Sequence, residues 1–79
     1  MNGYSKRLID ENKIANANKI GVKLGRLCIK LDIPVADVAA YCKVSRMTIY
    51  NWFKGSFDPS KDISAIVQKL TDKLASRSI

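Results

Sequence analysis

Histidine is absent from the 79-residue chain, and cysteine occurs only twice, as Cys28 and Cys42. Without histidine, neither a Ser-His-Asp triad nor a Cys-His pair can form, and two cysteines alone are too few ligands to hold zinc. The one adjacent pair of carboxylates, Asp10 and Glu11, lies in a stretch that is predicted to be exposed. We therefore expect no enzymatic activity, no cofactor and no metal ion.

Long apolar runs are also missing, since the longest unbroken ones span only a few residues. This excludes a membrane-spanning helix, and residues 1–13 contain no apolar stretch of the length that a secretory signal needs. We expect an intracellular protein, in the cytoplasm of a bacterium or of a phage-infected cell. In that compartment Cys28 and Cys42 are expected to be buried free thiols, although one disulfide between them is geometrically feasible.

Acidic residues are scarce relative to basic ones. The chain carries 14 Lys and Arg against 7 Asp and Glu, a net charge of +7 at neutral pH. Such an imbalance favours a phosphate-rich or anionic-membrane partner, although it does not determine a fold. A chain of 79 residues suffices for one small domain.

Apolar residues recur with helical spacing in three segments, which predicts an all-α domain of four or five helices over residues 18–76. The three stripes consist of Ile20, Leu24, Leu27 and Leu31; Val35, Val38, Ala39 and Cys42; and Ile63, Ile66, Val67, Leu70 and Leu74. Residues 1–17 are predicted to be a basic arm, mobile or loosely docked, or a partly helical extension. Residues 77–79 are predicted to be a C-terminal tail.

Local signals divide the middle of the chain into two short helices. Pro34 suits the start of the first helix, and Ser45 is expected to cap the second by accepting from the amide of Thr48. Gly55 is expected to end that second helix, and Asp58, Pro59 and Ser60 are start signals for the last one. Residues 34–54 are therefore predicted to form a helix-turn-helix.

The chain resembles the lambda repressor/Cro-like (XRE-type) family of helix-turn-helix DNA-binding domains over residues 19–75. The matching residues are Ala39, Val44-Ser45, Thr48-Ile49, Trp52, Gly55 and Pro59, the last three spaced as W-x-x-G-x-x-x-P. The resemblance implies a compact domain whose central second helix enters the major groove of double-stranded DNA. Pro34 and Val35 replace the Thr and Gln common in the family, and Lys43 replaces a frequent Gly, so it must accept a positive φ or use another turn.

The resemblance also implies which side chains contact DNA. The candidate DNA-binding residues are Lys43, Ser45, Arg46, Met47, Thr48, Tyr50, Asn51 and Lys54. Arg46 is expected to reach guanine O6 and N7 or a phosphate, and Asn51 adenine N6 and N7. Lys43 and Lys54 are better placed for phosphates.

Helical spacing sets these side chains apart from the core of the domain. Ile49 and Trp52 are predicted to face inward, whereas Met47 and Tyr50 face outward, towards a thymine methyl or the sugar-phosphate wall. Because no acidic residue occurs between positions 38 and 57, we expect an unopposed positive field on this surface.

These features together favour a small transcriptional repressor of phage or prokaryotic type that occupies operator DNA. The apolar stripe of the last helix either closes the core or pairs with a second copy, and we favour a homodimer. The alternative is a protein-interaction or antitoxin-like module built on a helix-turn-helix scaffold.

Overall fold

Five α-helices make up most of residues 4–77, the part of the chain that this computed structural model describes. They are α1 (Lys6–Ile14), α2 (Ile20–Leu31), α3 (Val35–Cys42), α4 (Arg46–Lys54) and α5 (Lys61–Arg77). No strand occurs in this range, so the prediction of an all-α domain with four or five helices is confirmed. Of the predicted tail, Arg77 ends α5, and positions 78–79 lie outside the described residues.

Helix α1 is a folded part of the domain. Its first turn is capped by Ser5, whose Oγ accepts from the amide of Leu8 at 3.2 Å. Tyr4, Leu8 and Asn12, spaced four residues apart, form a buried stripe. Of the alternatives for residues 1–17, the structure therefore shows a partly helical extension, with a docked helix over Lys6–Ile14. Positions 1–3 lie outside the described residues.

Asn12 explains why apolar spacing did not reveal this helix. Its side-chain amide is buried and donates to the carbonyl of Phe53 at 2.8 Å and to that of Val22 at 3.3 Å. A buried amide without partners costs about 1–3 kcal/mol, so these two bonds make a polar residue acceptable at the third position of the stripe. They also join α1 to both α2 and α4.

Helix α2 lies at the centre of the domain and packs against α4 and α5. Its buried residues include Val22, Leu24 and Cys28 together with both of its glycines, whereas Leu27 is only half-buried. The buried face of α2 is thus rotated about the helix axis relative to the predicted stripe, away from Leu27 and towards the two glycines. The glycines cause the difference, because their bare backbone is the surface that the neighbouring helix contacts most closely.

The contacts of the two α2 glycines are with the aromatic residues of α4. A Cβ atom at Gly21 would lie 2.7 Å from Trp52 Cβ, and one at Gly25 would lie 2.8 Å from Phe53 Cγ. Neither distance is tolerable for a real side chain, so only glycine at these two positions permits this close packing of α2 against α4.

The remaining helices complete the core largely as predicted. All four stripe residues of α3 are buried, and in α5 Val67, Leu70 and Leu74 close the core. Thr71 is also buried there, with its hydroxyl donating to the carbonyl of Val67 at 2.7 Å. Ile66 remains 39% exposed, so the α5 stripe is mainly a core face of this chain.

The two cysteines are free thiols inside this core, as expected. Burial and the nearby Cys42 thiol raise the pKa of Cys28 from 9.0 to about 12, and burial also raises the pKa of Cys42. The buried hydroxyl of Tyr4, which donates to the carbonyl of Ile33, has a raised pKa for the same reason of desolvation. All three groups are therefore neutral in the folded protein at physiological pH.

We predict that stability falls as the pH rises above about 9. The unfolded chain releases the Cys28 proton near pH 9.0, whereas the folded chain retains it to about pH 12. Between these two pH values the folded chain holds a proton that the unfolded chain has lost. The free energy of unfolding therefore falls, by at most about 1.4 kcal/mol per pH unit for this group. Urea unfolding between pH 7.5 and about pH 10.5 measures the slope.

The control for this prediction is Cys28→Ala, which removes the thiol and leaves the other titrating groups in place. The variant is expected to be less stable at every pH but to lose less stability between pH 9 and about pH 10.5. Parallel curves for the two proteins would contradict a role for the buried thiol.

Candidate nucleic-acid interface

The turn between α3 and α4 is tight and is held by backbone hydrogen bonds. Lys43 adopts the left-handed conformation, with φ 58° and ψ 44°. The amide of Val44 donates to the carbonyl of Ala39 at 3.1 Å, and that of Lys43 donates to Ala40 at 3.3 Å. Of the two alternatives for this turn, the chain therefore uses a positive φ at a lysine.

Helix α4 begins and ends as its sequence predicts. The amide of Thr48 donates to Ser45 Oγ at 3.2 Å, and the two side-chain hydroxyls lie 2.9 Å apart in a hydrogen bond of their own. At the other end Gly55 has φ 79°, and its carbonyl accepts from Lys19 Nζ at 2.8 Å. A cation at this position complements the negative end of the helix dipole. A nine-residue helix is thus fixed at both ends.

The inward face of α4 is broader than predicted. Ile49 and Trp52 are buried, as expected, and Phe53 is fully buried beside them. The ring of Phe53 packs against Gly25 and lies 6.1 Å from the ring of Tyr4. Sequence reasoning missed Phe53, although its position four residues after Ile49 was the available signal.

The outward face of α4 carries the predicted DNA-binding residues with graded exposure. Lys43, Ser45, Arg46 and Met47 are exposed, whereas Thr48, Tyr50, Asn51 and Lys54 are half-buried. The exposed group occupies the α3–α4 turn and the first turn of α4, so these four side chains are the most accessible to a partner. The four half-buried side chains lie along the two sides of α4, between its exposed and its buried faces.

Those two sides border different parts of the molecule. On one side Met47, Tyr50 and Lys54 form a cleft with the beginning of α1. On the other side Thr48 and Asn51 form a smaller groove with the α4–α5 loop, in which Phe57 and Asp58 are exposed. The structure thus places five of the candidate residues on two sides of α4, and a neighbouring segment flanks each side.

The positive field on this surface is not unopposed, contrary to expectation. Glu11 of α1 lies 4.0 Å from Lys54 Nζ, measured to its Oε2 atom, and its Oε1 atom accepts from Arg7 Nε at 3.0 Å. Within residues 4–77, by contrast, no carboxylate lies within ion-pair distance of Lys43 or Arg46. Positive charge is therefore least compensated around the turn and the first turn of α4.

Other kinds of site are not evident in the described part of the chain. No helix there is long and apolar enough to cross a membrane. Nor do three or more Cys, Asp or Glu side chains in that part converge in a way that would hold a metal ion.

In comparisons with known proteins, no family model, curated protein or solved structure matches the chain. The likeness to the lambda repressor/Cro-like family rests on the motif residues named above. Helix α1 lies outside the span of residues 19–75 to which that likeness applies.

We predict that Lys43→Gly stabilises the protein. A side chain at φ 58° is strained by roughly 1 kcal/mol, which glycine avoids, so the free energy of unfolding should rise by about that amount. Asp32→Gly is the matched control, because Asp32 ends α2 with the same φ of 58°. Aspartate tolerates this conformation better than lysine, so its replacement should gain less.

Urea unfolding of both variants checks the prediction, and a less stable Lys43→Gly protein would contradict it. The same variant removes a side chain expected to contact phosphate. It should therefore bind DNA more weakly while being more stable, which separates binding from folding.

Proposed function

We propose that this protein binds double-stranded DNA sequence-specifically by placing α4 in the major groove. The observation that carries the proposal is the exposed, uncompensated basic surface formed by Lys43 and Arg46 at the start of a rigidly capped helix. A short helix supported from behind by Ile49, Trp52 and Phe53 is what a helix-turn-helix protein needs in order to present side chains to base edges.

Base recognition is assigned to Arg46 and Asn51. The guanidinium of Arg46 projects from the first helical turn and matches the two acceptors of guanine, O6 and N7. Asn51 lines the protein groove between α4 and the α4–α5 loop. Its side-chain amide matches adenine N6 and N7. Met47, which is 65% exposed, supplies apolar contact for a thymine methyl.

Phosphate contacts are assigned to Lys43, Lys54, Ser45 and Thr48. The two hydroxyls of Ser45 and Thr48 share one hydrogen in their mutual bond, so the other hydrogen is left to donate to a phosphate oxygen. Tyr50 lies between Arg46 and α1 and is assigned to the sugar-phosphate wall. These contacts position the protein without selecting a sequence.

The biological role that fits this chemistry is a phage- or prokaryote-type transcriptional repressor in the cytoplasm. A single short recognition helix reads only a few base pairs, so useful specificity calls for two copies on paired half-sites. Most apolar residues of the α5 stripe are buried in the core of the same chain. A homodimer interface on this helix would therefore consist of the apolar side chains that are still exposed. That remainder is Ile66 on α5, with Tyr41 of α3 also exposed.

We predict that Arg46→Ala and Asn51→Ala both reduce the ratio of operator to random-DNA affinity. Loss of a good base contact costs about 1–3 kcal/mol and acts mainly on the cognate site. Lys54→Ala is the control, since loss of a phosphate contact weakens binding to all sequences alike. An operator selected from random duplexes, followed by competition titrations, measures the ratio.

Two outcomes would count against the proposal. If Asn51→Ala and Arg46→Ala keep the full ratio while remaining folded, the recognition face has been assigned to the wrong residues. If the unaltered protein binds no duplex even at low salt, the alternative of a protein-interaction or antitoxin-like module is favoured.

A further inference from the structure

A cleft of about 440 Å³ separates the beginning of α1 from α4. Tyr4, Ser5, Arg7 and Leu8 line one wall, and Met47, Tyr50 and Lys54 line the other. Three of these residues belong to the proposed DNA-binding surface. The cleft therefore opens onto that surface at the side where α1 begins.

The α1 wall of the cleft is held firmly in place. Tyr4 is buried, its hydroxyl donates to the carbonyl of Ile33, and its ring packs near that of Phe53. Ser5 caps the helix, and Asn12 joins its last turn to the carbonyl of Phe53. The backbone at the start of α1 thus keeps a fixed position relative to the recognition helix.

Two cations face one carboxylate beside this cleft. Arg7 Nε donates to Glu11 Oε1 at 3.0 Å, and Lys54 Nζ lies 4.0 Å from Glu11 Oε2. The Arg7 side chain is 90% exposed, whereas those of Glu11 and Lys54 are each 33% exposed. Two positive charges and one negative charge leave this group a net charge of +1.

We propose that α1 is a second DNA-contacting element, in which Arg7 together with Lys54 binds the sugar-phosphate backbone beside the groove that α4 enters. The inference rests on the proposed function and extends it to a helix outside the family likeness. The ligand is a backbone phosphate of the same duplex, not a base edge.

The chemistry of the three side chains supports a phosphate. The guanidinium of Arg7 has five N–H groups, and Glu11 engages only the one on Nε, so both terminal nitrogens point their hydrogens towards solvent as a fork that suits phosphate oxygens. The guanidinium is itself planar and pre-organised, so little entropy is lost for each hydrogen bond that it forms. A residual charge of +1 matches the single negative charge of a phosphodiester.

The test compares Arg7→Gln with Lys13→Gln in the full chain. Both changes remove one positive charge from an exposed site on α1, but Lys13 lies by the groove that α1 forms with α2, away from α4. Binding to operator and random duplexes is measured by fluorescence anisotropy at several salt concentrations. Thermal melts confirm that each variant is folded.

We predict that Arg7→Gln weakens binding to both kinds of duplex about five- to tenfold at 50 mM salt and lowers the salt slope by about 0.9, as expected for the loss of one phosphate contact. Lys13→Gln should change affinity by less than about twofold, since it alters only the distant field. Arg7→Lys should retain the slope, because it keeps the charge.

Each failure has its own pattern. If the unaltered protein binds DNA but Arg7→Gln behaves like Lys13→Gln, α1 does not contact the backbone, the inference is overturned and the proposed function stands. If Arg7→Gln lowers the operator to random-DNA ratio, Arg7 contacts a base and the phosphate assignment is wrong. If the unaltered protein binds no duplex at low salt, the proposed function itself fails.

Discussion

The contact between the two glycines of α2 and the aromatic residues of α4 is the constraint on which the rest of the structure depends. A Cβ at Gly21 would lie 2.7 Å from Trp52 Cβ, and one at Gly25 would lie 2.8 Å from Phe53 Cγ and 2.7 Å from Asn12 Nδ2. Only glycine allows the helices to approach so closely. The same approach brings the carbonyl of Phe53 within 2.8 Å of the Asn12 amide, so α1, α2 and α4 are joined at one point.

The exposed surface of α4 follows from this packing. Because Trp52 and Phe53 are both fixed against α2, the rotation of α4 about its own axis is set, and Arg46 and Met47 must face solvent. The Ser45 cap then fixes where the helix begins. Specific recognition by a short helix requires side chains held in position by a rigid scaffold, and this arrangement provides one.

Local chemistry made part of this structure predictable from the sequence. The Ser45 cap, the Gly55 stop and the buried face of α3 all depend on residues within a few positions of one another. Helical spacing from Ile49 and Trp52 likewise determines which side chains of α4 face away from the core.

The rest depended on contacts between distant parts of the chain. Asn12 is acceptable in the core only because carbonyls of α2 and α4 come within reach of its amide, and no local pattern reveals that. The prediction of an unopposed positive field was wrong for the same reason. Glu11 is distant from Lys54 in the sequence, and only folding brings the two side chains together. The rotation of the buried face of α2 likewise reflects the helix that packs on its glycines.

The central claim is that this surface binds DNA through its phosphates. The most direct test is the affinity of the unaltered protein for random-sequence duplex as a function of salt concentration. If Arg7, Lys43 and Lys54 each displace about one counterion, the logarithm of the binding constant should fall with the logarithm of the salt concentration with a slope of about −3. An affinity that is unchanged between low and moderate salt, or no binding at low salt, would contradict the claim.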